Sequence, residues 1–389
     1  MRLNGTPKRL LALLLITCSL LSLWACGKTE EDPPAQEEVT TQQPETPPEE
    51  EKKEEPPVEP EPEKEPEPEV FVPDGNVNPL TGECDGISDT ALTRKPVAVM
   101  VNNIKVALPQ WGISQADIIY EMLAEGRITR FLAIFKDPSK IDKLASVRSA
   151  RPYYIDIAQS YGAVYLHFGG SVPAYDAIAA RKDLINLDGI RGGWEGSLYN
   201  RDPGRKKSMG YEHSVYATGQ SIEDALATLK QDLTQETQPS AFSFTNTIEN
   251  TPASITNGQA ANKVTVTFSS SHKPWFEYNA ENGTWLRFQY GTAQMDAIQE
   301  KQIEVKNLLV LRMATRDVPG SELKLIEITT TGTGNGYYFC DGKYVPITWQ
   351  KDKYNSEIHY FDENGAPLEL ARGKTFVSVV TETADVVIE

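Results

Sequence analysis

The feature that most constrains this chain is a stretch that cannot fold. Residues 29–70 hold 17 acidic residues against 3 lysines, which leaves −14 of the chain's formal −17, and 11 prolines break any regular element. So little apolar surface cannot offset the entropy lost on ordering a backbone. The Glu-Pro alternation from Glu59 to Glu69 favours extended polyproline geometry, stiffened by charge repulsion. At roughly 3.1 Å per residue the segment reaches on the order of 130 Å. It reads as a disordered acidic Pro/Glu stalk, with an acidic interaction tail as the alternative. Folding is confined to the residues after Val70.

The residues before the stalk suggest where it is fixed. Arg2, Lys8 and Arg9 lead into an apolar run of 14 residues, Leu10 to Leu23. A spanning helix needs about 20 residues, whereas a signal-peptide core is this short. The run closes in Leu23-Trp24-Ala25-Cys26-Gly27, which resembles a bacterial lipoprotein signal. That resemblance implies removal of residues 1–25, lipidation of Cys26, and a stalk over 26–70. It implies a lipid anchor in the membrane and a place on the extracellular face of the cytoplasmic membrane. An uncleaved anchor helix with an incidental Cys26 is the competing reading.

Without leader and stalk the remaining chain is only mildly acidic and has no basic stripe, so a nucleic-acid partner is not expected. Its 319 residues exceed what one core usually serves, and the periodicity changes along them. In the first half Lys95–Val101, Ile128–Phe135 and Val164–Phe168 read as buried strands. Pro152, Pro173 and Ser221 mark helix starts. Ser114 and Asp117 have capping-box spacing, and Ile118, Ile119, Met122 and Leu123 predict a helix that Gly126 stops. This alternation predicts an α/β domain over 71–245, a mixed or largely parallel sheet with flanking helices. The second half alternates at period two in Lys263–Phe268, Trp275–Tyr278, Thr284–Phe288 and further segments to Thr375–Val380. Asn282-Gly283, Asp341-Gly342 and Asn364-Gly365 give turn signals between them. A β-rich domain over 246–389 is expected. Cys84 and Cys340 lie near the two ends of the folded part, and an extracellular setting permits but does not require their pairing.

Several segments together resemble the YerB-like lipoproteins, a family with two tandem domains of unknown function. In the first part they are Pro96–Asn103, Gln110–Glu121, Glu125-Gly126 with Thr129-Arg130-Phe131, and Val147–Tyr153. His167 with Gly169-Gly170-Ser171, and Arg201-Asp202 with Arg205, belong to the same set. In the second part Trp275, Tyr278, Arg287, Asp296, Gly332, Gly334, Trp349 and Gly373-Lys374-Thr375 fit the pattern. Where the family tends to show Pro-His-Asn, this chain has Glu212-His213-Ser214. The resemblance implies a lipid-anchored surface protein and no established reaction.

The residues themselves allow one candidate polar site. Arg148 and Arg151 stand at a helix start, where guanidinium forks, free N–H groups and the positive dipole end suit an anion. Gly169-Gly170-Ser171 is a second strand-to-helix turn, and ligands of open α/β sheets commonly sit at the carboxyl ends of strands. Arg201 and Arg205 would converge there, with Arg130, Glu121, Glu125, Asp202, His167 and His213 orienting the ligand or moving protons. The competing reading is a structural ion network in which Arg148 and Arg151 pair with Glu121 and Asp202. His167, on an apolar strand, reads more as a core residue than as a catalyst. No zinc motif, nucleophile elbow, Ser-x-x-Lys or phosphate loop occurs, so no metal, cofactor or catalytic residue is assigned. Two functions stand: binding of an envelope polymer, an anionic small molecule or a protein partner, or an envelope hydrolase or transferase built on a carboxylate–histidine pair.

Overall fold

The computed structural model describes residues 69–240 and 242–389. The expected leader, Cys26 and the expected stalk as far as Pro68 lie outside the described residues.

The first half contributes five strands to the main sheet: β1 (Val97–Asn102), β2 (Ile118–Leu123), β3 (Thr129–Phe135), β4 (Val164–His167) and β5 (Asn186–Asp188). Every residue of the first four is buried, which is why they read as unbroken apolar runs. Besides a single turn at Asp89–Leu92, the helices that accompany them are α1 (Pro152–Ser160), α2 (Val172–Ala180), α3 (Pro203–Met209) and α4 (Gly219–Thr228). The second half is rich in strands, chiefly β6 (Lys263–Val266), β7 (Trp275–Asn279), β8 (Thr284–Gln289), β9 (Asn307–Met313), β10 (Gly332–Cys340), β11 (Lys343–Lys351) and β12 (Thr375–Thr381).

The α/β half and the β-rich half share one mixed sheet of 11 strands. Its order runs Gln259–Ala260, β11, β10, β9, β12, β2, β3, β1, β4, β5, with His359–Phe361 also paired to β11. The halves join where β12 lies parallel to β2, from Ile118 beside Thr375 to Met122 beside Val379. A second sheet of six strands, built around β6, β7 and β8, is antiparallel. Neighbouring residues of β2 show the layering, because successive side chains of a strand face opposite ways. The Tyr120 hydroxyl lies 2.9 Å from that of Tyr161, just past α1, on the helix side. Glu121 points the other way, into the six-stranded sheet, where it meets Arg287 of β8. The same interface holds the Phe276–Phe376 and Trp285–Phe339 ring contacts.

The helix expected after Ser114 is a strand. Ile118–Leu123 is the central strand β2, buried on both faces between β3 and β12. A short, doubly buried apolar run carries no periodicity that separates strand from helix, and its β-branched and aromatic residues favour the strand. Ser114 and Asp117 cap nothing. The Ser114 amide and hydroxyl donate to Asp296, and Asp117 accepts from the Lys136 amide and from Asn78. Gly126, at φ +63°, turns the chain from β2 into β3. Strand β11 alternates at period two, with Ile347 and Trp349 buried between exposed Pro346, Thr348 and Gln350, and the Asp341-Gly342 turn before it is legible. Both turn residues have positive φ, as a two-residue hairpin requires. The Gly-rich run Thr331–Gly336 lies mainly in β10, the other strand of this hairpin. Cys84 and Cys340 are both unpaired, and burial pushes the Cys340 thiol up to about 12.

Candidate functional site

Strands β1, β4 and β5 are parallel, so Asn102, His167 and Asp188 end at one edge of the sheet. Two strand-to-helix turns lie side by side across that edge. The Ala150 amide donates to Gly169 O at 2.8 Å, and the Ser171 amide donates back to Ala150 O at 3.3 Å. Ser171 caps α2 by accepting from the Ala174 amide, and Pro152 opens α1 directly after Arg151. Gly169 has φ +79°, and a Cβ there would stand 2.8 Å from Ile190 Cδ1. A Cβ at Gly170 would meet the Tyr175 ring at 3.4 Å and Ala150 Cβ at 3.6 Å, ordinary contact distances.

Three arginines converge at this edge on consecutive backbone carbonyls. Arg201 Nη1 donates to Tyr211 O at 2.9 Å, Arg148 Nη1 to Glu212 O at 3.0 Å, and Arg205 Nε to His213 O at 3.2 Å. They clamp the turn Tyr211–His213. Arg205 is buried and donates otherwise to Pro109 O, Ala107 O and Ser146 Oγ. Burial pushes its pKa down to about 10, against the opposing pull of Asp202. Arg148 and Arg201 differ from it. Their carboxylate partners, Glu212 and Glu195, are 66% and 46% exposed. The Arg201 guanidinium also lies 3.7 Å from the Tyr211 ring centre and 4.9 Å from that of Phe168.

The remaining residues of the candidate set divide between support and a separate network. Glu125 holds both Arg130 and Arg151, the latter through Nε at 2.8 Å and Nη2 at 2.6 Å. Burial raises the Glu125 pKa, but the two guanidinium groups outweigh it and the net shift is downward. Burial, and then repulsion from Arg151, bring Arg130 down to about 10. Asp202 accepts from the Arg205 amide at 2.7 Å and caps α3, so it is a helix cap. His167 is fully buried, with Nδ1 2.8 Å from Gly169 O and its ring stacked on Tyr165. Its pKa is lowered by burial against the pull of Asp188. His213 accepts at Nδ1 from Asn102 at 3.0 Å, and burial followed by Arg148 lowers its pKa. The carboxylates that pair with Arg148 and Arg151 are therefore Glu212 and Glu125, where Glu121 and Asp202 were expected.

Glu121 sits on the opposite face of the sheet from α1 and does not join the arginines. One oxygen accepts from Asn103 and Thr129 at 2.7 Å each and from His272 Nε2 at 2.8 Å, while the other takes Arg287. Burial alone raises its pKa, but Arg287 and then His272 bring it down to about 2. It is fully buried and stays ionised. Asp296 forms a second tie between the halves. Its oxygens accept from the amides of Gly112, Ser114, Ile298 and Gln299 and from the Ser114 hydroxyl. Residue reasoning alone gave Arg287, His272 and Asp296 no role. For Arg287 the signal available was a charged residue at an inward position of an alternating strand, whereas His272 lies in no strand and Asp296 in a two-residue one. Among the described residues no three His, Cys, Asp or Glu side chains gather in a way that would hold a metal ion.

Two family models match, "Protein of unknown function (DUF3048) N-terminal domain" over residues 80–232 and the corresponding C-terminal domain over 264–377. The chain belongs to the YerB-like family. Among its relatives is a protein of Bacillus subtilis (strain 168) named "Putative lipoprotein YerB", 28% identical over 292 residues, which are 74% of this chain and 82% of that one. The crystal structure of the Bacillus subtilis YerB protein is similar as well, with a TM-score of 0.67 and 26% identity, covering 80% of this chain and 99% of that one. The clamping arginines fall within the first matched part of the YerB-like layout, and Arg287 and Asp296 within the second.

Proposed function

We propose that this chain is a lipid-anchored surface protein, exported and acylated at Cys26, that binds an anionic envelope polymer at the arginine rim. The lipoprotein name of the Bacillus relative and the leader of this chain support the anchor. The observation that carries the binding reading is the exposure of the two counter-ions. Arg148 and Arg201 are mostly covered by protein, yet their partners Glu212 and Glu195 face solvent. Exposed pairs of this kind contribute only about 0–1 kcal/mol, so a polymer carrying several anions displaces them at little cost. Tyr211, 56% exposed, with Lys206 over its ring, extends the same basic and aromatic rim. The test is titration of the full-length chain with poly(glycerol phosphate) at low salt. Binding that weakens as salt rises and is lost in the Arg148→Ala/Arg201→Ala variant supports the reading. Binding that the double variant leaves unchanged overturns it.

A further inference from the structure

A second cluster of cations lies at the opposite edge of the same sheet. β2, β9 and β12 run parallel to β1, so their first residues mark the edge away from the arginine rim. At that edge Lys301, Lys306, Arg372 and Lys374 line a cleft of about 320 Å³, within the roughly 300–1,000 Å³ of small-molecule sites. The two lining carboxylates are Glu83 and Glu304.

Partnering distinguishes this cleft from the rim. Lys306 is paired with Asp341. Among the described residues no carboxylate comes within 4.0 Å of the cationic nitrogens of Lys301, Arg372 or Lys374. Lys374 is half-buried, its ammonium donating to Ser114 O. Burial lowers its pKa, and Asp117 only partly opposes this. Arg372 donates one nitrogen to Thr245 O and stacks on Phe71 at 4.0 Å. Lys301 is exposed, with no side-chain hydrogen bond among the described residues. Glu83 acts on Arg372 and Lys374 only from a distance, and positive groups held together with no carboxylate in direct contact are stabilised when an anion completes the site.

We infer that this cleft is a binding site for a phosphorylated sugar or polyol, either free or as one unit of an envelope polymer. The lysines and Arg372 take the phosphate. The rest of the lining suits hydroxyl groups. Gln302 donates its amide nitrogen to Arg287 O and leaves its oxygen to accept, and Glu83 and Glu304 are further acceptors. No aromatic ring lines the cleft, so a nucleobase would find no stacking partner there. Glu83, Asn250 and Arg372 also line a neighbouring cleft of about 480 Å³ whose other walls include Phe71, Asp74 and Asp85, so the space beyond the phosphate-binding cleft is acidic and suits hydroxyl groups rather than a second phosphate.

The test is calorimetric titration of the full-length chain with glucose 6-phosphate, glucose, inorganic phosphate and poly(glycerol phosphate). Glucose 6-phosphate or the polymer is expected to bind, glucose alone to fail, and inorganic phosphate to bind at least about tenfold more weakly than the better of the two, a difference calorimetry resolves. Lys301→Glu should remove glucose 6-phosphate binding, which Arg148→Ala/Arg201→Ala should leave intact, and should remove whatever polymer binding the rim variant retains. Monomer binding points to a free metabolite, and Lys301-dependent binding of the polymer alone points to a polymer unit. Because Lys301 is exposed, an unchanged melting temperature without ligand shows that the variant folds, and Lys301→Gln gives a milder second measurement. The inference is overturned if neither phosphorylated polyol binds, if inorganic phosphate binds as tightly, or if Lys301→Glu has no effect while the rim variant abolishes binding. It does not rest on the rim reading, since each site has its own variant.

Discussion

Glu121 and Arg287 form an ion pair across the interface of the two sheets, and neither side chain is exposed to solvent. One comes from each matched part of the chain, so the pair fixes how the six-stranded sheet sits on the larger one. Removing Arg287 strands a buried carboxylate. Arg287→Ala is therefore expected to cost about 3–5 kcal/mol in urea unfolding. The Glu121→Leu/Arg287→Met double variant should lose clearly less than the sum of the single changes, because neither charge is then left alone.

The same pair sets an acid limit. The folded pKa of Glu121 is depressed to about 2, against an ordinary value of 4.5. Its contribution is present above the unfolded value and is lost as the pH falls through the folded one. Stability measured from pH 5 to pH 2 should fall, and Glu121→Gln should flatten that fall.

Asp117 behaves in the opposite sense. Burial raises its folded pKa to about 6, despite the Lys136 amide and Lys374. The folded state then holds the proton more tightly, so this residue's contribution declines as the pH rises from about 4 to about 6. Carboxyl carbon resonances followed through that range should show a midpoint near 6 for Asp117.

Rim and clamp should separate by stability. Arg148→Ala/Arg201→Ala removes pairs to exposed carboxylates, about 0–1 kcal/mol per pair, and two donors to carbonyls that water can reach, so it should cost little. Arg205→Ala leaves several carbonyls without donors and should cost at least about 2 kcal/mol. Thermal melts of the two variants test the distinction, and equal losses would contradict it.

The anchor has a direct readout. Mass spectrometry of the chain purified from its membrane is expected to find an amino terminus at acylated Cys26. A retained Met1 with an unmodified Cys26 would establish the anchor-helix alternative.

Much of the first half was legible because doubly buried strands leave unbroken apolar runs and helix starts carry proline and serine. Pro152 and Pro173 both stand in the first turn of a helix. The same logic misread Ile118–Leu123, since a six-residue run buried on both faces has no period to report. The two helix-start turns could be named from sequence as neighbours at one edge, but not the partners of their arginines. Arg148 meets Glu212, 64 positions away, and Arg287 meets Glu121, 166 positions away. No local spacing encodes such pairings.

The parallel seam between β2 and β12 bears on inheritance. A gene truncated between the two matched parts would encode a half sheet with its central strand laid open, a template for self-association. Recombination could therefore not trade one part freely among unrelated proteins, and the two are expected to travel through genomes as a single heritable unit.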